Sequence, residues 1–202
     1  MGAIVLRGGV EVEHPLELAL EFLAAYSSYD AGDSSGQRSF DERDLRLANR
    51  GGARISAVEI QAILERRAEI ERALRRVRPD ASLADAASSI PWIPLTQLFD
   101  AFRDIRGIGF SKMTKALHRK RPALIPMLDS VVQGYLTRFD PGTLSSGSFG
   151  ERATALVRSY KRDLDRNLSV LHELQRELAN RTYRLTEVRI LDVLIWSVSA
   201  AT

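Results

Sequence analysis

A three-residue turn constrains this chain most. Gly107-Ile108-Gly109 separates two stretches of helical periodicity inside LTQLFDAFRDIRGIGFSKMTKALHRKRPALIPMLDSVVQ, which runs from Leu95 to Gln133. Two glycines around one apolar residue let the backbone reverse within a few bonds, so the flanking helices must lie against one another. Ile108 is then expected to pack inward and pin the reversal. The first N–H groups of the second helix face outward without intrahelical partners, and such amides can hold a phosphate. Ser111 and Lys112, in the first turn of that helix, would add a hydroxyl and an ammonium. A plain helical hairpin accounts for the same pattern.

The helix after the turn carries Lys112 and Lys115 and runs into His118, Arg119, Lys120 and Arg121. Cations beside a phosphate-binding turn would strengthen binding and make it salt-dependent; the alternative is a solvated charged face. Pro126, Met127 and Leu128 then lead to Asp129, just ahead of Ser130-Val131-Val132. An aspartate at that position is a natural N-cap. It can equally serve chemistry. A carboxylate at a helix start, facing a cleft beside a nucleic-acid backbone, can stabilise cationic character on a sugar as a base departs, or orient or deprotonate water. One oxygen can cap while the other faces outward.

The remaining sequence reads as mainly helical. Residues 3–12 alternate around Gly8-Gly9 as a small β-hairpin, and Pro15 opens a helix that ends over Tyr26 to Asp30. The segment 31–40 reads as a loop. Tyr26, Tyr29, Asp30 and Asp33 are candidates to face a binding cleft, or simply form a capped helix exit. Phe40 to Asn49 reads as a short helix in which Asn49 caps the C-terminus. Ser56 with Glu59 forms a capping box for one long helix reaching Val77. SLADAAS, residues 82–88, adds at most one helical turn. Ile90-Pro91-Trp92-Ile93-Pro94 reads as an extended connector, where Trp92 either stacks on a base or packs in the core. A loop at 142–150 precedes a long helix or a broken pair over 151–180. The final helix, EVRILDVLIWSVS, is apolar nearly all round and is expected to be buried.

The expectation is a single helical domain over residues 1–202, with its β-hairpin in 1–14 and the hairpin–aspartate motif in 95–138. The chain has no cysteine, which rules out disulfides and thiolate-ligated metals. His14, His118 and His172 show no metal-ligand spacing, so neither a metal nor another cofactor is expected. A net charge of +3 permits a polyanionic partner without requiring one. No apolar run has membrane-spanning length and the N-terminus lacks signal-peptide character, so a cytoplasmic protein with no membrane partner is the expectation.

Gly107-Ile108-Gly109, Ala116-Leu117, Pro126 and Asp129 resemble the signature of the helix-hairpin-helix DNA glycosylase superfamily. That resemblance implies a helix-hairpin-helix glycosylase-like fold and double-stranded DNA as partner. It implies phosphate contacts from Gly107, Gly109, Ser111 and Lys112, with Arg119, Lys120 and Arg121 beside them, and Asp129 as the catalytic carboxylate. Bifunctional members carry a lysine where this chain has Ser111, so the resemblance implies a monofunctional, water-using N-glycosyl hydrolase. Arg106 stands where a proline is expected. A non-catalytic DNA-binding relative, or a protein-interaction module using the basic run, are the alternatives. A closer resemblance is to a bacterial family of unknown function, through Tyr26–Asp30, Asp44–Ser56, Leu117–Pro122, Asp129–Val132 and Arg189–Trp196. It covers most of the chain and implies no activity.

Overall fold

The computed structural model describes residues 2–30, 36–144 and 146–200. Strands β1 (Ile4–Val5) and β2 (Glu11–Val12) form an antiparallel pair with Ile4 opposite Val12. Helices follow: α1 (Pro15–Asp30), α2 (Glu42–Arg50), α3 (Ala57–Glu65), α4 (Arg67–Arg76), α5 (Trp92–Asp100), α6 (Phe110–His118), α7 (Ser130–Phe139), α8 (Phe149–Asn180) and α9 (Glu187–Ala200). The protein is thus mainly α with a small two-stranded sheet at its N-terminus, as the periodicity predicts. Asp33, a candidate cleft residue, lies outside the described residues, with most of its loop.

Local chemistry sets the boundaries. Asp41, Ser56 and Ser148 each form a capping box with the acidic residue three positions on, starting α2, α3 and α8. Two boundaries differ from the sequence reading. The helix expected from Ala57 to Val77 breaks at Arg66, whose backbone (φ −90°, ψ 5°) leaves the helical region, giving α3 and α4. The Ile90–Pro94 segment is not an extended connector: α5 begins at Trp92. Pro94 is tolerated there because the first-turn amides of a helix have no intrahelical partner to lose. Residues 151–180 form one unbroken helix rather than a pair.

The long α8 is the spine of the fold. It packs chiefly against α5 and α9, and also meets α1, α7 and β1. The Asn167 side chain on α8 takes the Val5 N–H at 2.8 Å and donates to the Val5 carbonyl at 3.0 Å, which ties the small sheet to the helices. The expected buried last helix is present: Val188 and Ile190 to Ile195 of α9 are nearly inaccessible. Within it, however, Arg189 and Asp192 are buried as well, and both belong to the site.

The central turn departs from the expected tight hairpin: α5 ends at Asp100, residues 101–109 lead to α6, and the two helices pack chiefly on other partners, α5 on α8 and α4 and α6 on α2. Gly107 has φ +83°, a left-handed conformation that favours glycine. Ile108 turns inward and is buried, and Gly109 is the N-cap of α6. Beyond α6 the chain crosses to α7 through residues 119–129. This crossing is pinned at every step. The Ala123 carbonyl accepts from the Leu83 amide, the Pro122 carbonyl accepts from the Thr186 hydroxyl, and the Leu128 amide donates to the Thr114 hydroxyl.

Candidate functional site

A cleft of about 540 Å³ lies between α1, the end of α2 and the α2–α3 loop, α6, the crossing into α7, and α9. Its walls differ in chemistry. On one side the rings of Phe22, Tyr26 and Trp196 cluster, with centroids 4.9 Å apart for Phe22–Tyr26, 5.3 Å for Phe22–Trp196 and 5.8 Å for Tyr26–Trp196. On the other side stand Ser111 and Lys115 of α6, Asp129 and Ser130 at the start of α7, Asn49 and Arg50 at the end of α2, and Gly52 and Arg54 from the α2–α3 loop.

The N-cap expected of Asp129 is present. Its Oδ1 accepts from the Val131 and Val132 amides at 3.1 Å each, capping α7. Its Oδ2 lies 3.7 Å from the Lys115 ammonium, and both side chains retain some access to solvent. A carboxylate at the start of α7 and an ammonium on the last turn of α6 thus stand side by side in the cleft.

Two buried ionic groups support this wall. Arg189 is held by Asp30 through two parallel hydrogen bonds of 2.9 and 2.8 Å, and its guanidinium lies 5.4 Å from the Phe22 ring centre and 5.7 Å from that of Tyr29. Burial works against the charge of Arg189, but the Asp30 carboxylate outweighs it and its pKa lies above the usual value. Asp192 accepts from the Met127 amide at 3.0 Å, and its burial pushes its pKa up to about 8 despite the nearby Arg189 charge. Tyr29 is buried, and its hydroxyl donates to the Lys115 carbonyl at 2.9 Å. Gly51 admits that ring: a Cβ there would lie 2.7 Å from Tyr29 Cδ2. Asn49 does not cap α2. Its amide bridges the loop by bonding both the N–H and the carbonyl of Ile55.

The sequence-based candidates separate into three groups. Tyr26, Tyr29, Ser111, Lys115 and Asp129 line this one cleft, and Asp30 lies behind it in the pair with Arg189. Gly107, Gly109 and Lys112 lie at the hairpin beside it. There the Glu59 carboxylate closes on the turn: its Oε1 accepts from the Lys112 ammonium at 2.6 Å, and a Cβ on Gly107 would lie 2.2 Å from it. Burial alone would raise the Glu59 pKa; its hydrogen bonds with Lys112 and Ser56 prevail and lower it. An anionic oxygen therefore already occupies the Lys112 side of the turn, while at Gly109 the space is open.

The third group is the basic run, which the fold turns inward. His118 is buried with Nδ1 2.6 Å from the Ile125 carbonyl, and burial together with the Arg189 charge pushes its pKa down to about 4. Lys120 pairs with Asp44 at 2.6 Å where neither side chain is accessible. Arg121 donates to the Leu74 and Val77 carbonyls at the end of α4 and to the Gln37 carbonyl. Burial pushes its pKa down to about 10. These three side chains serve the fold rather than a phosphate, contrary to the reading of the run as contact residues. Arg119 alone of the four is half-exposed. Trp92 is remote from the cleft: its indole N–H donates to the Ala87 carbonyl at 2.9 Å and Arg158 covers its ring at 4.1 Å.

A model of the family of unknown function DUF6308 matches residues 20–199. The chain belongs to that family. No curated protein and no solved structure matches it. In this DUF6308 member, the cleft falls wholly within the matched residues. Sequence reasoning missed Phe22, Arg50, Arg54, Arg189, Asp192 and Trp196 as cleft residues. For two of them a signal was present: Arg189 and Asp192 are three residues apart in an otherwise apolar helix, and buried ionisable groups cluster at sites. Among the described residues no group of three or more histidine or acidic side chains could hold a metal ion, and no helix is long and apolar enough to cross a membrane.

Proposed function

We propose that this DUF6308 protein binds duplex DNA through the helix-hairpin-helix, takes an extruded base into the cleft, and uses Asp129 to support hydrolysis of its N-glycosidic bond. One observation carries the reading: Ser111 and Lys115 of α6 and Asp129 at the start of α7 line the same aromatic-walled cleft. Its volume of about 540 Å³ suits a small ligand. Flipped bases are commonly stacked on aromatic side chains and read along their edges. Asp129 would stabilise positive charge developing on the sugar, or orient water, while Lys115 beside it would contact the flanking phosphate.

The backbone contacts in this reading are narrower than the sequence suggests. Gly109 and Ser111 remain at the uncapped start of α6. Arg50 at the end of α2 and Arg54 on the cleft-lining loop join them as exposed cations. Lys112 is engaged by Glu59, and His118, Lys120 and Arg121 are withdrawn by burial, which also removes the main support for the run as a protein-docking surface.

The test is binding to duplexes with and without an abasic-site analogue at two salt concentrations, followed by base-release assays with Asp129→Asn as control. Asparagine is as good an N-cap as aspartate, so α7 is expected to survive. Salt-sensitive preference for the analogue, with base release lost in Asp129→Asn, is the expected result. Binding without base release from any lesion tested would leave a non-catalytic DNA-binding protein. Absence of duplex binding at low salt would refute the proposal altogether.

A further inference from the structure

The cleft contains one group that the fold leaves unsatisfied. Asp192 is 2% exposed and lines the cleft. Its Oδ2 accepts from the Met127 amide, whereas Oδ1 has no hydrogen-bond partner among the described residues. Two neighbouring donors are committed elsewhere. The Tyr160 hydroxyl stands within hydrogen-bonding reach of the carboxyl but gives its proton to the Val188 carbonyl at 2.6 Å, and the Arg189 guanidinium is held by Asp30. Folded proteins seldom leave a buried polar atom without a partner unless a ligand or water supplies one. On the same cleft, the rings of Phe22, Tyr26 and Trp196 form an aromatic wall. A flat ligand stacked there would bring its polar edge to the carboxyl oxygen.

We propose that Asp192 is the specificity-determining residue of this cleft, donating through Oδ1–H to an acceptor atom on the edge of a nucleobase-type nitrogen heterocycle held against Phe22, Tyr26 and Trp196. The inference rests on the reading of the cleft as a base pocket and names how that pocket reads its occupant. Asp192 acts as donor because Oδ2 already receives a hydrogen bond, which leaves the acid proton to Oδ1. The carboxyl is surrounded by Arg189 on its own helix, Asp129 at the start of α7, Tyr160 on α8 and the Met127 amide; burial outweighs the guanidinium and brings its pKa to about 8. The neutral acid is therefore the main form at neutral pH.

The probes are free adenine and free cytosine, titrated into the full chain and followed by ligand-observed NMR. No duplex is needed, so the outcome is independent of DNA binding. At least one base should bind the wild type. Its affinity should fall about tenfold between one pH unit below and one above the Asp192 value of about 8, following the neutral fraction. Asp192→Asn keeps an acceptor for the Met127 amide and presents an N–H to the cleft; it should bind within about threefold of wild type and lose the pH dependence. Asp192→Leu should weaken binding about tenfold or more. Failure of both bases to bind, an Asn variant as weak as the Leu variant, or a Leu variant as tight as wild type would each overturn the proposal. If Asp192→Leu does not fold, the pH profiles of wild type and Asp192→Asn decide. Base binding without duplex binding would leave Asp192's role intact and remove the DNA reading. Duplex binding without base binding would do the reverse.

Discussion

Replacing Lys120 with methionine separates two accounts of the basic run, because a phosphate contact and a buried counter-ion fail in different ways. Lys120 Nζ lies 2.6 Å from Asp44 Oδ1, and neither side chain is accessible. Removing the ammonium takes the buried Asp44 carboxylate's ion-pair partner at 2.6 Å, a change that costs about 3–5 kcal/mol in comparable pairs. Asp44 also accepts from the Asp41 amide at 2.9 Å, as the reciprocal half of the α2 capping box. That bond survives the substitution, so the expected loss lies near the lower figure, about 3 kcal/mol. With a urea m-value of about 2–3 kcal/mol/M, the unfolding midpoint should fall by about 1–1.5 M. Adding Asp44→Asn removes the carboxylate's charge and keeps an acceptor for the Asp41 amide. The double variant should therefore recover at least about 1 kcal/mol relative to the sum of the singles. Any DNA binding should keep its salt slope, since no phosphate contact is lost. A single-variant loss below about 1 kcal/mol, strict additivity in the double variant, or a slope reduced by about one unit would refute the structural role.

The pH dependence of stability combines two buried groups of opposite sign. His118 has a folded pKa of about 4 against 6.5, so its contribution is present above pH 6.5 and lost as pH falls towards 4. Asp192 has a folded pKa of about 8 against 3.8, so its contribution is present below pH 3.8 and lost as pH rises through 8. Between pH 4 and 6.5 the two slopes cancel; from 6.5 to 8 only Asp192 remains, and stability should fall by about 2 kcal/mol. Urea midpoints across pH should show this decline and its disappearance in Asp192→Asn; a rise with pH in that interval would contradict the assignment. Gly51→Ala would place a Cβ 2.7 Å from the Tyr29 ring, displacing the group that holds the Lys115 carbonyl; a loss of about 1–3 kcal/mol in thermal or urea unfolding is expected. Asp129→Asn should change stability by less than about 0.5 kcal/mol, because the α7 cap is preserved; a larger loss in urea unfolding would mean that its ion pair with Lys115 matters to the fold.

What the sequence reveals and conceals follows from the range of each interaction. Ser56 with Glu59, and Asp129 before Ser130, act within three residues, so their caps are legible from spacing alone. Gly107 is legible because its turn is local. The basic run misleads because its partners are distant: Asp44, the Leu74 and Val77 carbonyls and Gln37 cannot be assigned to Lys120 and Arg121 by any local pattern. Four consecutive cations read as a surface; here three are buried charged or polar fasteners. The cleft is legible only in pieces. The segments Tyr26–Asp30, Asp44–Ser56, Asp129–Val132 and Arg189–Trp196, on which the family resemblance rests, each supply part of its wall, and the packing of α9 on α1 and α7 and of α2 on α1 and α6 brings them together.

The burial of so many ionisable groups around the α6–α7 crossing has a common consequence for Asp129. An eleven-residue connection between helices would ordinarily let the residue at its end wander. Here His118 holds the Ile125 carbonyl, Thr114 the Leu128 amide, and Asp192 the Met127 amide. The Asp129 amide in turn donates to the Met127 carbonyl at 2.9 Å. Asp129 and Asp192 are thus coupled through a single residue, Met127. A ligand that satisfies Asp192 Oδ1 acts on the same carboxyl that fixes the Met127 amide, and so on the backbone that aims Asp129. Buried polar groups of this kind are costly and add little net stability. Their placement serves precision: they fix the Asp129 carboxylate on the cleft wall, as the catalysis proposed for it would require.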